Sequence, residues 1–270
     1  MLSITTDFSK DKGNPEPYLR QIAEAGFSHI HWCHHWNTDF LYADSEINQI
    51  QSWLKEYGLA LQDLHASEGM EKYWLSEQEY ARLAGVELVK NRIAMTARLG
   101  GDVVVMHVPN QPDPLDLKEQ FWSRLEQSLD ALEPFARQHQ VRIAIENLIT
   151  NFDTLDELLR KYNADFLGIC YDSGHANING DRMERLNAVK DRLICLHLHD
   201  NDGRGDQHKP LFTGTVNWPR LSEIIATSSY DKVVSMEVSI HNSGITDEKL
   251  FLGTAYDTGT TFARMIEDSK

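Results

Sequence analysis

Thiols, long apolar runs and surplus positive charge are all scarce in this 270-residue chain. The 3 cysteines, Cys33, Cys170 and Cys195, are odd in number and widely spaced. That excludes a disulfide framework and a CxxC zinc knuckle, and it fits a reducing, cytoplasmic setting. Nowhere do roughly eighteen apolar residues run together, and MLSITTDFSK has no basic stretch leading into an apolar one. A soluble, unexported chain with no membrane partner is therefore expected. Lysine and arginine total 26 against 41 aspartates and glutamates, a formal net charge of -15. Such a chain repels nucleic acid and anionic lipid. No GxGxxG follows the first strand-like run, no Walker sequence occurs, and no Pro/Gly/Ser-rich linker divides the chain. One domain spanning residues 1–270 is expected.

What is present is a repeated unit. Short β-branched or apolar runs alternate with longer segments of helical periodicity. The strand-like runs are LSITT near 2, SHIHWCH near 28, LALQDLHA near 59, DVVVMHV near 102, RIAIEN near 142, FLGICYD near 166, LICLHLH near 193 and VVSMEV near 233. Between them, one helix is expected from a Ser45 N-cap to Gly58 and another from a capping box of Ser76 and Glu79. Strict βα alternation demands a parallel sheet, and eight units in a chain of this length predict an α/β fold, a single (β/α)8 TIM barrel.

In such a barrel the chemistry sits at the C-terminal ends of the strands. The last inward position of strands three to eight holds His65, His107, Glu146, Asp172, His197 with His199, and Glu237. Alternation puts Val103, Val105 and His107 on one face, as it does Ala144 with Glu146, Cys170 with Asp172, and Ser235 with Glu237. YDSGH adds His175 three residues after Asp172, and GDQHKP adds Asp206 and His208. A lone histidine at a strand end is ordinarily just hydrogen-bonded. Many carboxylates in one mouth, however, repel each other and raise one another's pKa unless a cation joins them. A divalent metal site is expected, with imidazole and carboxylate ligands that leave zinc, manganese, cobalt, magnesium or iron open.

IENL, CYDSGH, HLHDNDG with DQHKPLFTG, and MEVS, in this order, resemble the xylose isomerase-like TIM-barrel superfamily, which includes endonuclease IV and the ketose 3-epimerases. For the epimerase and isomerase branch the resemblance implies one metal held by Glu146, Asp172, His197 and Glu237, with zinc or manganese foremost. His175 would then polarise the sugar oxygens. Strand seven is ambiguous, because the pattern can be laid on His197 or on His199; His197 lies deeper in the strand and is favoured, with His199 behind it or touching substrate. The endonuclease IV branch uses further ligands matching His65, His107, His175, Asp206 and His208, which implies up to three ions.

The activity implied is isomerisation or epimerisation of a small sugar, sugar phosphate or polyol. Glu146 and Glu237 would move a proton through a metal-stabilised enediolate. Arg204, Lys209, Trp32, Trp36 and Trp74 are candidates for touching substrate, with core packing an equally good reading of Trp32, and of His31, His34 and His35 at most two face the pocket. A phosphodiester hydrolase and a sugar-binding barrel without turnover are the alternatives. Against the former, the loops HASEGMEKYW, HVPNQPDPLD and HNSGITDE are acidic or neutral where a DNA-binding mouth needs basic groups. The resemblance is also compatible with a homodimer.

Overall fold

Parallel strands cannot be joined by tight turns, so each apolar run here is followed by a crossover that packs back onto the sheet. The computed structural model describes residues 1–10, 13–178, 180 and 183–270. Its strands are β1 (Leu2–Thr5), β2 (His29–Trp32), β3 (Ala60–His65), β4 (Val103–His107), β5 (Arg142–Glu146), β6 (Leu167–Asp172), β7 (Leu193–His197) and β8 (Val234–Met236). Between and after them lie helices α1 (Glu16–Glu24), α2 (Asp44–Tyr57), α3 (Glu79–Arg98), α4 (Leu115–Gln138), α5 (Phe152–Lys161), α6 (Ser173–Asn177), α7 (Met183–Val189), α8 (Trp218–Ala226) and α9 (Glu248–Asp268).

Among the described residues the strands form one sheet in the order β7-β6-β5-β4-β3-β2-β1-β8. The ring closes where the Leu198 N–H donates to the Ser235 carbonyl (3.1 Å) and the Glu237 N–H to the Leu198 carbonyl (3.0 Å). The fold is a single (β/α)8 barrel. No helix among the described residues is long and apolar enough to cross a membrane.

Two helix starts differ from expectation. The second helix begins at Asp44, with Ala43 at the N-cap, because the Ala43 N–H donates to the Glu46 carboxylate (2.8 Å); Gly58 closes it in the left-handed region (φ 67°) as expected. The third begins at Glu79 and not in a Ser76 capping box. Ser76 Oγ accepts from the Gln78 N–H (3.1 Å) in a local turn, while Glu79 pairs with Arg82 (2.7 Å).

Alternation sorts each strand into two faces. Outward side chains such as Ile4, Ile30, Leu64, Val104, Met106, Ile143, Ile145 and Leu196 pack under the helices in the main core. Inward ones form a separate, smaller cluster of Val103, Val105, Ala144, Cys170, Ile194 and Cys195. Polar residues also lie in the interior: Ser3, His31, Asp63 and Ser235 are all buried. Register then sets neighbours at the C-terminal rim, with His107 beside Glu146 and Asp172 beside His197.

Candidate metal centre

Three strand ends converge first. His197 Nδ1 lies 3.0 Å from Glu146 Oε2 and 2.9 Å from Glu237 Oε2. Despite that approach, Glu146 Oε2 and both ring nitrogens of His197 have no hydrogen-bond partner and no exposure. A buried polar atom without a partner costs about 1–3 kcal/mol, more when charged. Donor atoms that crowd one point without bonding each other fit a cation between them.

Two further groups adjoin this one. On the β3–β4 side, His65 Nε2 and His107 Nε2 are 3.1 Å apart, and they lie 3.6 and 3.3 Å from Glu146 Oε2. On the β6–β7 side, Asp206 meets His208 (3.0 Å), His175 (3.4 Å) and His199 (3.5 Å), and His199 Nε2 lies 3.1 Å from Asp172 Oδ1. His175 Nδ1 joins the groups, 3.2 Å from Glu146 Oε1 and 3.6 Å from Asp172 Oδ1. The ligand atoms of His65, His107 and Glu146 fall within 4.8 Å of one another, as do those of His199, Asp206 and His208. All nine expected metal residues therefore meet at one mouth.

The loops explain how. Asn147 grips the backbone of Asp172 from both sides (2.9 Å each way), and Asn151 Nδ2 donates to the Glu146 carbonyl (2.9 Å), so IENL and the residues after it brace two ligands. Asp172 caps α6 by accepting from the His175 N–H (2.6 Å). Gly174 is required because a Cβ there would stand 1.8 Å from the His199 ring. The His208 Nδ1–H donates to the Glu237 carbonyl (2.8 Å), which turns Nε2 toward Asp206. Asp200, by contrast, is a loop brace: it accepts from Val216 N (3.1 Å) and Trp218 Nε1 (3.0 Å).

Burial decides two of the expectations. Trp74 does not line the mouth, since it is 1 % exposed and lies in the main core, where α3 approaches its backbone so closely that Gly85 has no room for a side chain. His199, 0 % exposed, takes the first of the two places expected for it, behind the ligands: it faces Asp172 and Asp206 and stacks on His208 with ring centroids 4.1 Å apart. Arg204 is exposed on the loop after β7. Trp36 does sit at the mouth, half-buried, with its ring 4.8 Å from His65 and 5.5 Å from His107. Residues not anticipated are Glu68, 3.4 Å from His107 Nδ1, and the buried Asp63, against which His31 is hydrogen-bonded. Both acids were detectable: Asp63 shares a strand face with His65, and Glu68 follows it by three residues. A cavity of about 160 Å³ lined by Asp7, Cys33, His34 and Trp36 opens beside the mouth. A larger one, about 570 Å³, is lined by Gln62, Asp102, Tyr230 and Lys232 and contains none of these groups.

Charge in the mouth is balanced by protons. Burial pushes the Glu146 carboxyl up, but His107 and His197 outweigh it and hold it well below the usual carboxylate range. Burial lowers His107 while Glu146 and Glu68 lift it, to about 10; for His208 burial is likewise overcome, chiefly by Asp206, to about 10. Ligand imidazoles must be neutral, so protons compete with a metal here. Zinc affinity is expected to rise as pH increases from 6 toward 9, with protons released on binding. Chelator competition across that range, and titration calorimetry in buffers of different ionisation enthalpy, check both; a flat profile without proton release contradicts this.

A family model described as "Xylose isomerase-like TIM barrel" matches residues 19–256. The "Uncharacterized protein y4fM" of Sinorhizobium fredii (strain NBRC 101917 / NGR234) is 34% identical over 246 residues, which cover 81% of this chain and 79% of that one. Among solved structures, a "D-tagatose 3-epimerase-like protein" superposes with a TM-score of 0.77 at 20% identity, covering 99% of this chain and 97% of its own. The "IOLI protein with a binding zinc atom" gives a TM-score of 0.75 at 16% identity, covering 100% and 99%. At these identities the two structures speak for the shared fold.

Proposed function

The chain belongs to the xylose isomerase-like TIM-barrel family, and from that premise we propose that it is a metal-dependent isomerase or epimerase of a small sugar or polyol. The observation that carries this reading is the approach of Glu146 and Glu237 to one imidazole nitrogen, 3.0 and 2.9 Å away, at a mouth rich in further donors. Glu146, Asp172, His197 and Glu237 would hold the ion, zinc or manganese foremost, and His65, His107, His175, Asp206 and His208 supply donors for a second or third. When bound, a divalent ion there supplies Lewis-acid stabilisation of negative charge on adjacent substrate oxygens, worth several kcal/mol.

The chain's own residues do the rest. Glu146 and Glu237 come from β5 and the end of β8, on opposite sides of His197, so they flank whatever enters. One carboxylate takes the proton from carbon and the other, or the same one, returns it. Both are held anionic, Glu237 chiefly against burial by His197, and a base must start deprotonated. His175 faces the same space and is positioned to donate to a substrate oxygen. The ring of Trp36 offers an apolar wall beside His65.

The loops after β3, β4 and β8 (66–78, 108–114 and 237–247) contain Lys72 as their single lysine or arginine. That favours a neutral sugar over a phosphorylated one. A second reading, metallohydrolysis of a phosphodiester, is favoured by the two additional donor groups and opposed by the same lack of basic residues.

Incubating the zinc- or manganese-loaded protein with a panel of ketoses in heavy water tests the proposal. Deuterium is expected at one carbon of one substrate and is expected to vanish with chelator. No exchange in any sugar, alongside chelator-sensitive nicking of abasic DNA, would transfer the assignment to the second reading.

A further inference from the structure

Beneath the mouth, where barrels of this kind are usually filled by branched apolar side chains, this one buries a carboxylate between two imidazoles. Asp63 on β3 is 1 % exposed. A register shift between Ile30 and His31 brings His31 directly opposite Asp63 on the neighbouring strand. His31 Nδ1 hydrogen-bonds Asp63 Oδ1, and Cys33 Sγ lies 2.8 Å from His31 Nε2. That fixes the ring: Nδ1–H donates to the carboxylate and Nε2 accepts from the thiol. On its other side Asp63 Oδ1 stands 3.6 Å from His197 Nε2, and the His31 and His197 rings pack at 4.1 Å between centroids.

A distance of 3.6 Å is a charge contact and not a hydrogen bond. Asp63 Oδ2 and His197 Nε2 both lack any hydrogen-bond partner. Burying a carboxylate costs several kcal/mol, so its presence in the interior calls for a compensating role. The opposite nitrogen of the same ring, Nδ1, is the one facing Glu146 and Glu237. An imidazole gives a cation the lone pair of one nitrogen, and its proton then resides on the other.

We propose that Asp63, braced by His31 and Cys33, is a positioning residue that keeps the proton of His197 on Nε2 and so presents Nδ1 to the metal. This rests on the metal-centre reading above. Such outer carboxylates typically alter metal affinity by 10- to 100-fold.

Zinc affinity of the full-length protein, measured by chelator competition for wild type and Asp63→Asn, is the test. A folded Asp63→Asn that binds zinc roughly 10- to 100-fold more weakly bears the proposal out; a folded variant within twofold of wild type overturns it. Wild type that binds no zinc sinks the metal centre and this inference together, whereas wild type that binds and a variant that matches it sink only the inference. Should Asp63→Asn fail to fold, ¹⁵N-imidazole NMR of the zinc-loaded wild type decides, with His197 assigned through His197→Gln. Protonated Nε2 with zinc on Nδ1 is the expected signature, and zinc on Nε2 overturns the proposal.

Discussion

Replacing Glu146 by glutamine is expected to lower chelator-sensitive deuterium exchange by about 10³-fold or more. Removing a proton-transferring group alone typically costs 10²–10⁴. Glu146 has a second job, because its Oε2 is the atom that His65, His107 and His197 all face, at 3.6, 3.3 and 3.0 Å. A neutral amide cannot offset those imidazoles, so metal affinity should fall with the rate. Exchange within tenfold of wild type in a folded, zinc-loaded Glu146→Gln protein contradicts the proton-transfer role, and unchanged zinc affinity contradicts the ligand role. A rate that falls while zinc affinity holds isolates the proton-transfer role.

Zinc is expected to raise Tm by roughly 5–11 °C when free ion stands at about 100 times its Kd. Ligand linkage at that excess contributes about 2.7 kcal/mol, and a chain of this size shifts by roughly 2–4 °C per kcal/mol. The physical source is the set of partnerless buried atoms at Glu146 Oε2 and His197 Nδ1, which the folded chain carries and the unfolded one does not. Scanning calorimetry at fixed protein concentration, with and without zinc, measures it. An unchanged Tm in wild type contradicts the metal centre, while loss of the shift in His197→Gln localises it.

The ring of strands and its donors were legible because two periodicities carried them. Alternation at period 2 fixes which strand residues point inward, and the strand ends fix which of those reach the rim, so His65, His107, Glu146 and Asp172 could be read directly. The burial of Trp74 could not. An aromatic residue just before a helix looks the same whether it lies over a pocket or under the helix, and only the close approach of α3 at Gly85 decides. The choice between the two places open to His199 is hidden for a related reason, since its seclusion depends on the space left by Gly174 on another element. The pairing of His31 with Asp63 depends on a register shift in β2 that no local pattern announces. Both helix starts slipped by two residues, the caps moving from Ser45 to Ala43 and from Ser76 to Gln78, because Glu46 and Ser76 found nearer backbone partners.

Crystals grown with zinc and recorded on both sides of its absorption edge locate the ion without reference to activity. An anomalous peak about 2.0–2.2 Å from donor atoms of Glu146, Asp172, His197 and Glu237 is expected. A peak elsewhere, or none with those side chains turned away from one another, contradicts the metal centre on which the proposed chemistry stands.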